Sequence, residues 1–85
     1  MKHAGAAAIE ALSDLLESLS SRTALIERRV GKFYVSGKTF LHFHEDSAGL
    51  FADLRLAGEW QRFLVNSPGK RAELLAIIDG TQLRR

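Results

Sequence analysis

The chain has 85 residues, of which 46% are hydrophobic and 26% charged, with one proline and no cysteine. That length supports one domain with a thin core, and the apolar content excludes an intrinsically disordered segment. The lack of cysteine excludes disulfides and thiolate metal sites and fits a cytoplasmic protein, and the net charge of +2 is small for a dedicated nucleic-acid binder.

The first predicted element is a helix over residues 6–20. We expect neither a targeting segment nor a membrane span there, because Glu10, Asp14 and Glu17 interrupt the apolar character. Residues 1–5 and 81–85, at the two ends of one domain over residues 1–85, are predicted to be flexible. The large apolar residues of the helix recur at helical spacing: Ile9, Leu12, Leu15, Leu16 and Leu19.

After this helix the period of the apolar residues changes from 3.6 to 2, which predicts strands near residues 25–30 and 32–35. Ser36 and Gly37 then form a tight turn, because glycine accepts the positive φ that short hairpins demand. The clearest strands are predicted at residues 38–44 and 50–56, joined by a hairpin loop.

A last strand is predicted at residues 60–65 and a final helix after it. Ser67 is expected to cap this helix and Pro68 to occupy its first position. Asp79 and Gly80 end it. The order of helix, antiparallel strands and helix predicts an α+β two-layer sandwich, in which a sheet of four or five strands carries both helices on one face.

The alternation within residues 38–44 and 50–56 also predicts their register. A slip of one residue would place leucines opposite charged side chains, so the alignment that brings the two apolar faces together is favoured. The resulting pairs are Phe43–Ala52, Leu41–Leu54, His44–Phe51, His42–Asp53 and Phe40–Arg55.

The sheet face without helices is predicted to be an interaction face. Its polar and aromatic residues favour a small binding or interaction module, whose partner is another protein or a second copy of the chain. The predicted interaction face consists of Phe40, His42, His44, Phe51, Asp53 and Arg55.

A metal-binding protein or small enzyme using the same cluster is an alternative. His42 and His44 leave one face of a strand together, and Asp53 is suited to be a third ligand or the acceptor that orients a ring. A third histidine at a fitting position is missing, because His3 lies in a terminus predicted to be flexible. No cofactor is therefore expected, and a divalent metal ion is the alternative. The Asp53 carboxylate is expected to raise the pKa of His42.

Catalysis is less expected than binding, because no nucleophile elbow or glycine-rich phosphate loop is present. Nucleic-acid binding is a further alternative, since Arg28, Arg29, Lys32 and Trp60 lie in or beside the predicted sheet. Acidic residues in the same region weaken that alternative.

Residues 37–46, GKTFLHFHED, and the strand that follows them resemble a luciferase-like family of small bacterial domains of unknown function. That pattern has a His-x-His-Gly-Asp run, and Glu45 stands here in place of its glycine. The Gly-Lys-x-Phe strand is also similar to the MmcQ/YjbR-like group, α+β domains with a proposed DNA-binding role. The resemblance covers residues 31–56, implies a bacterial cytoplasmic domain, and carries over His42, His44, Asp46 and Asp53 as motif positions of unknown role.

Overall fold

The computed structural model describes residues 2–81. Residues 82–85 and Met1 lie outside the described part, and with them most of the predicted flexible tail at residues 81–85. The strands are β1 (Lys2–His3), β2 (Ile26–Arg29), β3 (Lys32–Val35), β4 (Lys38–Asp46), β5 (Gly49–Leu56) and β6 (Glu59–Leu64), and the helices are α1 (Ala6–Ala11), α2 (Ser13–Ser20) and α3 (Pro68–Asp79).

The sheet is antiparallel and open, with the order β2-β3-β4-β5-β6, and the helices cover one of its faces. This confirms the predicted α+β architecture. β1 and β3 lie end to end beside β4, since Lys32 is opposite His42 and His3 is opposite His44. β1 lies within residues 1–5, for which flexibility is predicted. It pairs with β4 and is followed by a hydrogen bond of 3.2 Å from the Ala4 N–H to the Phe43 carbonyl, and the flexibility of this segment stays a prediction.

The register of β4 against β5 is the predicted one. Leu41 is opposite Leu54 on the helix side of the sheet, where both side chains are fully buried. His42 is opposite Asp53 and His44 is opposite Phe51 on the other side, which we call the open face. The two strands are joined by a turn after Asp46. Because side chains alternate along each strand, the register that buries the leucines also determines which residues lie on the open face.

Phe40 does not follow this alternation. Phe33 is opposite Leu41 and Tyr34 is opposite Thr39, so β4 carries Phe40 as one extra residue between these pairs. An extra residue bends the strand and redirects its side chain. Phe40 is 7% exposed and belongs to the buried core, and the predictions that it pairs with Arg55 and lies on the open face are wrong.

Two hairpins use the same kind of two-residue turn. Ser36 and Gly37 have φ of 52° and 80°, and Ala57 and Gly58 have φ of 51° and 81°. Two consecutive residues with positive φ match the right-handed twist of the flanking strands, which is why such turns join short antiparallel strands. The turn predicted at Ser36 is confirmed.

The helix predicted over residues 6–20 is divided into two at Leu12, whose φ of -97° and ψ of 9° lie outside the helical region. Its apolar stripe is nevertheless buried against the sheet. Ser67 caps α3 as predicted, with the Lys70 N–H donating to its hydroxyl oxygen at 3.3 Å. None of the three described helices combines the length and the apolar run that a membrane crossing requires.

The pairing of Leu41 with Leu54 leads to a stability prediction. We expect Leu54→Ala to lower the free energy of unfolding by about 2–5 kcal/mol, because Leu54 is fully buried and its truncation leaves a cavity in the core. Leu64→Ala is the matched control, since Leu64 is 38% exposed on the open face and should lose about 1 kcal/mol or less. Urea unfolding measures both, and equal losses would contradict the assignment of the two faces.

Candidate functional site

Three histidine side chains meet on the open face. His42 and His44 come from alternate positions of β4, whose intervening residue Phe43 is buried in the core. His3 comes from β1, opposite His44, and its ring stacks on the His44 ring with 4.8 Å between centroids. The sequence prediction placed His42 and His44 together correctly and missed His3.

The ring nitrogens of these histidines converge. One nitrogen from each of His3, His42 and His44 lies within 4.8 Å of the other two. His44 Nε2 is 2.7 Å from His42 Nδ1 and 3.0 Å from Asp53 Oδ2. At these distances His44 Nε2 can carry a proton and donate it to His42 Nδ1 or to the Asp53 carboxylate. Without that proton, its lone pair can bind a cation instead.

Asp53 lies beside the three histidines and is almost buried, with 8% of its surface exposed. Arg62, opposite Asp53 on β6, donates two hydrogen bonds of 2.7 Å and 2.9 Å to the two carboxylate oxygens. These hydrogen bonds hold the pKa of Asp53 below its usual value, although burial acts in the opposite direction. Asp53 is therefore a fixed negative charge at the edge of the histidine group.

The expected pairing of Asp53 with His42 is correct for the backbone register and wrong for the side chains, because the carboxylate contacts Arg62 and His44. The expectation that the pKa of His42 is raised is also wrong. Burial lowers the pKa of His42, the neighbouring His44 lowers it further, and Asp53 opposes them only in part. Smaller contributions from His3 and Lys32 also lower it.

The rest of the predicted interaction face is only partly as expected. Phe51 and Arg55 lie on the open face, half-buried, whereas Phe40 is in the core. Arg55 stacks over the ring of Trp60 at 4.6 Å, and the His42 ring is 4.7 Å from the Trp60 ring. Asp46, a motif position in the sequence, accepts a hydrogen bond from the Ala48 N–H in the turn and is exposed there.

Three neighbours of the site are not among the residues of the predicted interaction face: His3, Trp60 and Arg62. Trp60 and Arg62 occupy alternate positions of β6, opposite Arg55 and Asp53. The alternation that predicts the register of β4 and β5 places these two residues on the open face when it is extended to β6. His3 carried no such signal, because a strand of two residues has no measurable period.

A scan against protein-family models and searches of curated proteins and solved structures found no match to this chain. The resemblances to luciferase-like and MmcQ/YjbR-like domains therefore stay predictions.

The lowered pKa of His42 predicts acid sensitivity in the protein without metal. Protonating His42 below its ordinary pKa of 6.5 is harder in the folded state than in the unfolded state. Its contribution to the free energy of unfolding should be fully present above pH 6.5 and should decline as pH falls below that value toward the lower folded-state pKa.

Urea unfolding between neutral pH and about pH 5 measures this decline. Asp53 stays ionised over that range, because its lowered pKa starts from an ordinary value of 3.8. His42→Gln should flatten the pH dependence. A variant that loses stability with acid as steeply as the unmodified chain would contradict the assignment to His42.

Proposed function

We propose that the chain is a small binding module whose open face binds a divalent transition-metal ion through His3, His42 and His44. The observation that supports this proposal is the convergence of three imidazole nitrogens within 4.8 Å. Imidazole is a preferred ligand of zinc, nickel and copper, and three such ligands are a common protein contribution to sites with an open coordination position. The third histidine that the sequence prediction lacked is His3.

The distances are compatible with one ion after small side-chain rotations. A tetrahedral ion with nitrogens at 2.0–2.1 Å requires about 3.3 Å between ligand nitrogens. The nitrogens of His42 and His44 are at 2.7 Å, and the third nitrogen lies within 4.8 Å. His3 is exposed at the end of a two-residue strand and has the room to approach.

Asp53 supports the same proposal. A fixed negative charge beside a bound cation stabilises the cation, and Asp53 is a fixed carboxylate next to the histidines. Asp53 Oδ2 is 3.0 Å from His44 Nε2, the same nitrogen that faces His42, and Arg62 holds both carboxylate oxygens from the far side. Asp53 would therefore act on the bound ion through its charge, and it is not placed to orient His44 through the opposite ring nitrogen.

The other expected partners of the open face have less support. For nucleic acid, the stacking surface of Trp60 is already in contact with Arg55 and His42, and Arg62 is bound to Asp53. For a protein partner, the burial of Phe40 removes one of the predicted apolar contacts. Both stay predictions.

Zinc titration tests the proposed function. Zn²⁺ that binds only the folded chain should raise the free energy of unfolding by about 2.7 kcal/mol at a free concentration one hundred times Kd. The chain must carry no affinity tag, because a histidine tag would bind the ion and lies close to His3. His3→Gln and His44→Gln should each remove most of the gain.

Glu17→Gln is the control variant, because it removes an exposed potential ligand on α2, away from the histidines. It should retain the full gain. The proposal would be contradicted if Zn²⁺ did not change the free energy of unfolding of the unmodified chain. It would also be contradicted if Zn²⁺ raised the free energy of unfolding of the histidine variants as much as that of Glu17→Gln.

A further inference from the structure

A cavity opens beside the histidine group where two strands fail to meet. β1 and β3 both pair with the same edge of β4. β1 reaches His44 and β3 reaches His42, and the cavity lies between the ends of these two strands. This cavity has a volume of about 330 Å³. His3 and His42 line it together with residues 29–32, and the apolar side chains of Ile9 and Phe43 complete it.

The charged side chains that line the cavity beside the histidines are cations. Arg29 and Lys32 both line it, and in the described part of the chain no aspartate or glutamate does. Glu27, the nearest carboxylate in sequence, accepts a hydrogen bond from the Gly31 N–H at 2.9 Å and another from the Ser20 hydroxyl at 3.3 Å. Asp53 is held by Arg62 on the opposite side of β4.

Lys32 stands directly next to the proposed metal site. It is opposite His42 in the register of β3 and β4, and its side chain lies on the same side of the sheet as that histidine. An ion bound by three neutral imidazoles receives no negative charge from them and has at least one coordination position unfilled. Asp53 offsets the charge of the ion only in part, because Arg62 holds both oxygens of that carboxylate. A bound ion and the Lys32 ammonium would thus present two positive charges to one small cavity.

We propose that this cavity binds a small oxyanion, a carboxylate or a phosphate, with one oxygen on the metal ion and another on Lys32. The inference rests on the proposed function, because the oxyanion needs the ion as its first ligand. Ammonium and guanidinium groups form short charge-assisted hydrogen bonds to such oxygens, which makes Lys32 the specificity-determining residue and Arg29 a second donor within the same cavity. The volume of about 330 Å³ limits the ligand to a small one, and Ile9 and Phe43 give it an apolar contact.

Cobalt replaces zinc in the test, because the visible spectrum of Co²⁺ reports a change in its ligands. The tag-free chain is first titrated with Co²⁺, and the Co²⁺ complex is then titrated separately with acetate, with inorganic phosphate and with chloride at equal ionic strength. We expect saturable spectral changes with acetate or phosphate, and the more effective of the two identifies the ligand as a carboxylate or a phosphate. Chloride should be at least tenfold weaker.

Lys32→Met is the deciding variant and Lys38→Met its matched control. Lys38 is an exposed lysine at the turn end of the same β3–β4 hairpin, opposite Val35 and outside the cavity. Lys32→Met should weaken oxyanion binding at least tenfold and leave Co²⁺ affinity unchanged or tighter, whereas Lys38→Met should change neither. Circular dichroism checks folding, and Lys32→Gln takes the place of Lys32→Met if the latter does not fold.

The outcomes separate the two proposals. A chain that does not bind Co²⁺ overturns both of them. A Co²⁺ complex whose spectrum does not change with acetate or phosphate overturns the oxyanion site alone. Equal oxyanion affinity in the Lys32 and Lys38 variants also overturns the oxyanion site alone.

Discussion

The pairing of β4 with β5 is the constraint on which the rest of the molecule depends. Leu41 and Leu54 meet on one side of this pair, and His42 and Asp53 meet on the other. Because side chains alternate along a strand, the hydrophobic free energy that buries the leucines also determines which residues remain on the open face. A slip of one residue would bury the histidines and expose the core, so the register of the site is maintained by apolar packing on the opposite side of the sheet.

The site itself depends on the other edge of β4. β3 pairs with the first half of β4 and β1 with the second half, so two separate segments of the chain reach one strand side by side. That arrangement brings His3 beside His44, and it leaves the cavity between the two strand ends where Lys32 lies. Asp53 enters from the other side and is fixed by Arg62. The histidine group thus has a fixed anion on the β5 side and cations on the β3 side, and the proposed ion and oxyanion sites rest on this distribution of charge.

Much of the fold could be predicted from the sequence, because its signals are local. Alternation gave β4 and β5 and their register, glycine at a positive φ marked the Ser36–Gly37 turn, and Ser67 marked the start of α3. The site was predictable only in part. His3 belongs to a strand of two residues, whose existence depends on tertiary pairing and not on its own propensity. Phe40 lies at an irregularity of pairing between β3 and β4, which a strict alternation cannot detect.

The pKa of His42 could not be predicted from the strand register. Register brings two residues opposite each other, but the contacts of their side chains depend on every neighbour. Asp53 lies opposite His42 and nevertheless binds Arg62, from the next strand, because a guanidinium offers two parallel hydrogen bonds to a carboxylate. Because that carboxylate is not its hydrogen-bond partner, the pKa of His42 is determined mainly by burial. The cross-strand pair of His42 and Asp53, taken alone, therefore predicts the opposite direction for the pKa of His42.

The most direct test of the central claim is the X-ray absorption spectrum of the tag-free chain loaded with a single equivalent of Zn²⁺. If the alternation of β4 and the pairing of β1 bring three imidazoles to one ion, the spectrum should show three imidazole nitrogens at about 2.0–2.1 Å and one additional light atom. One imidazole or none around the ion would contradict the claim that His3, His42 and His44 form one metal site.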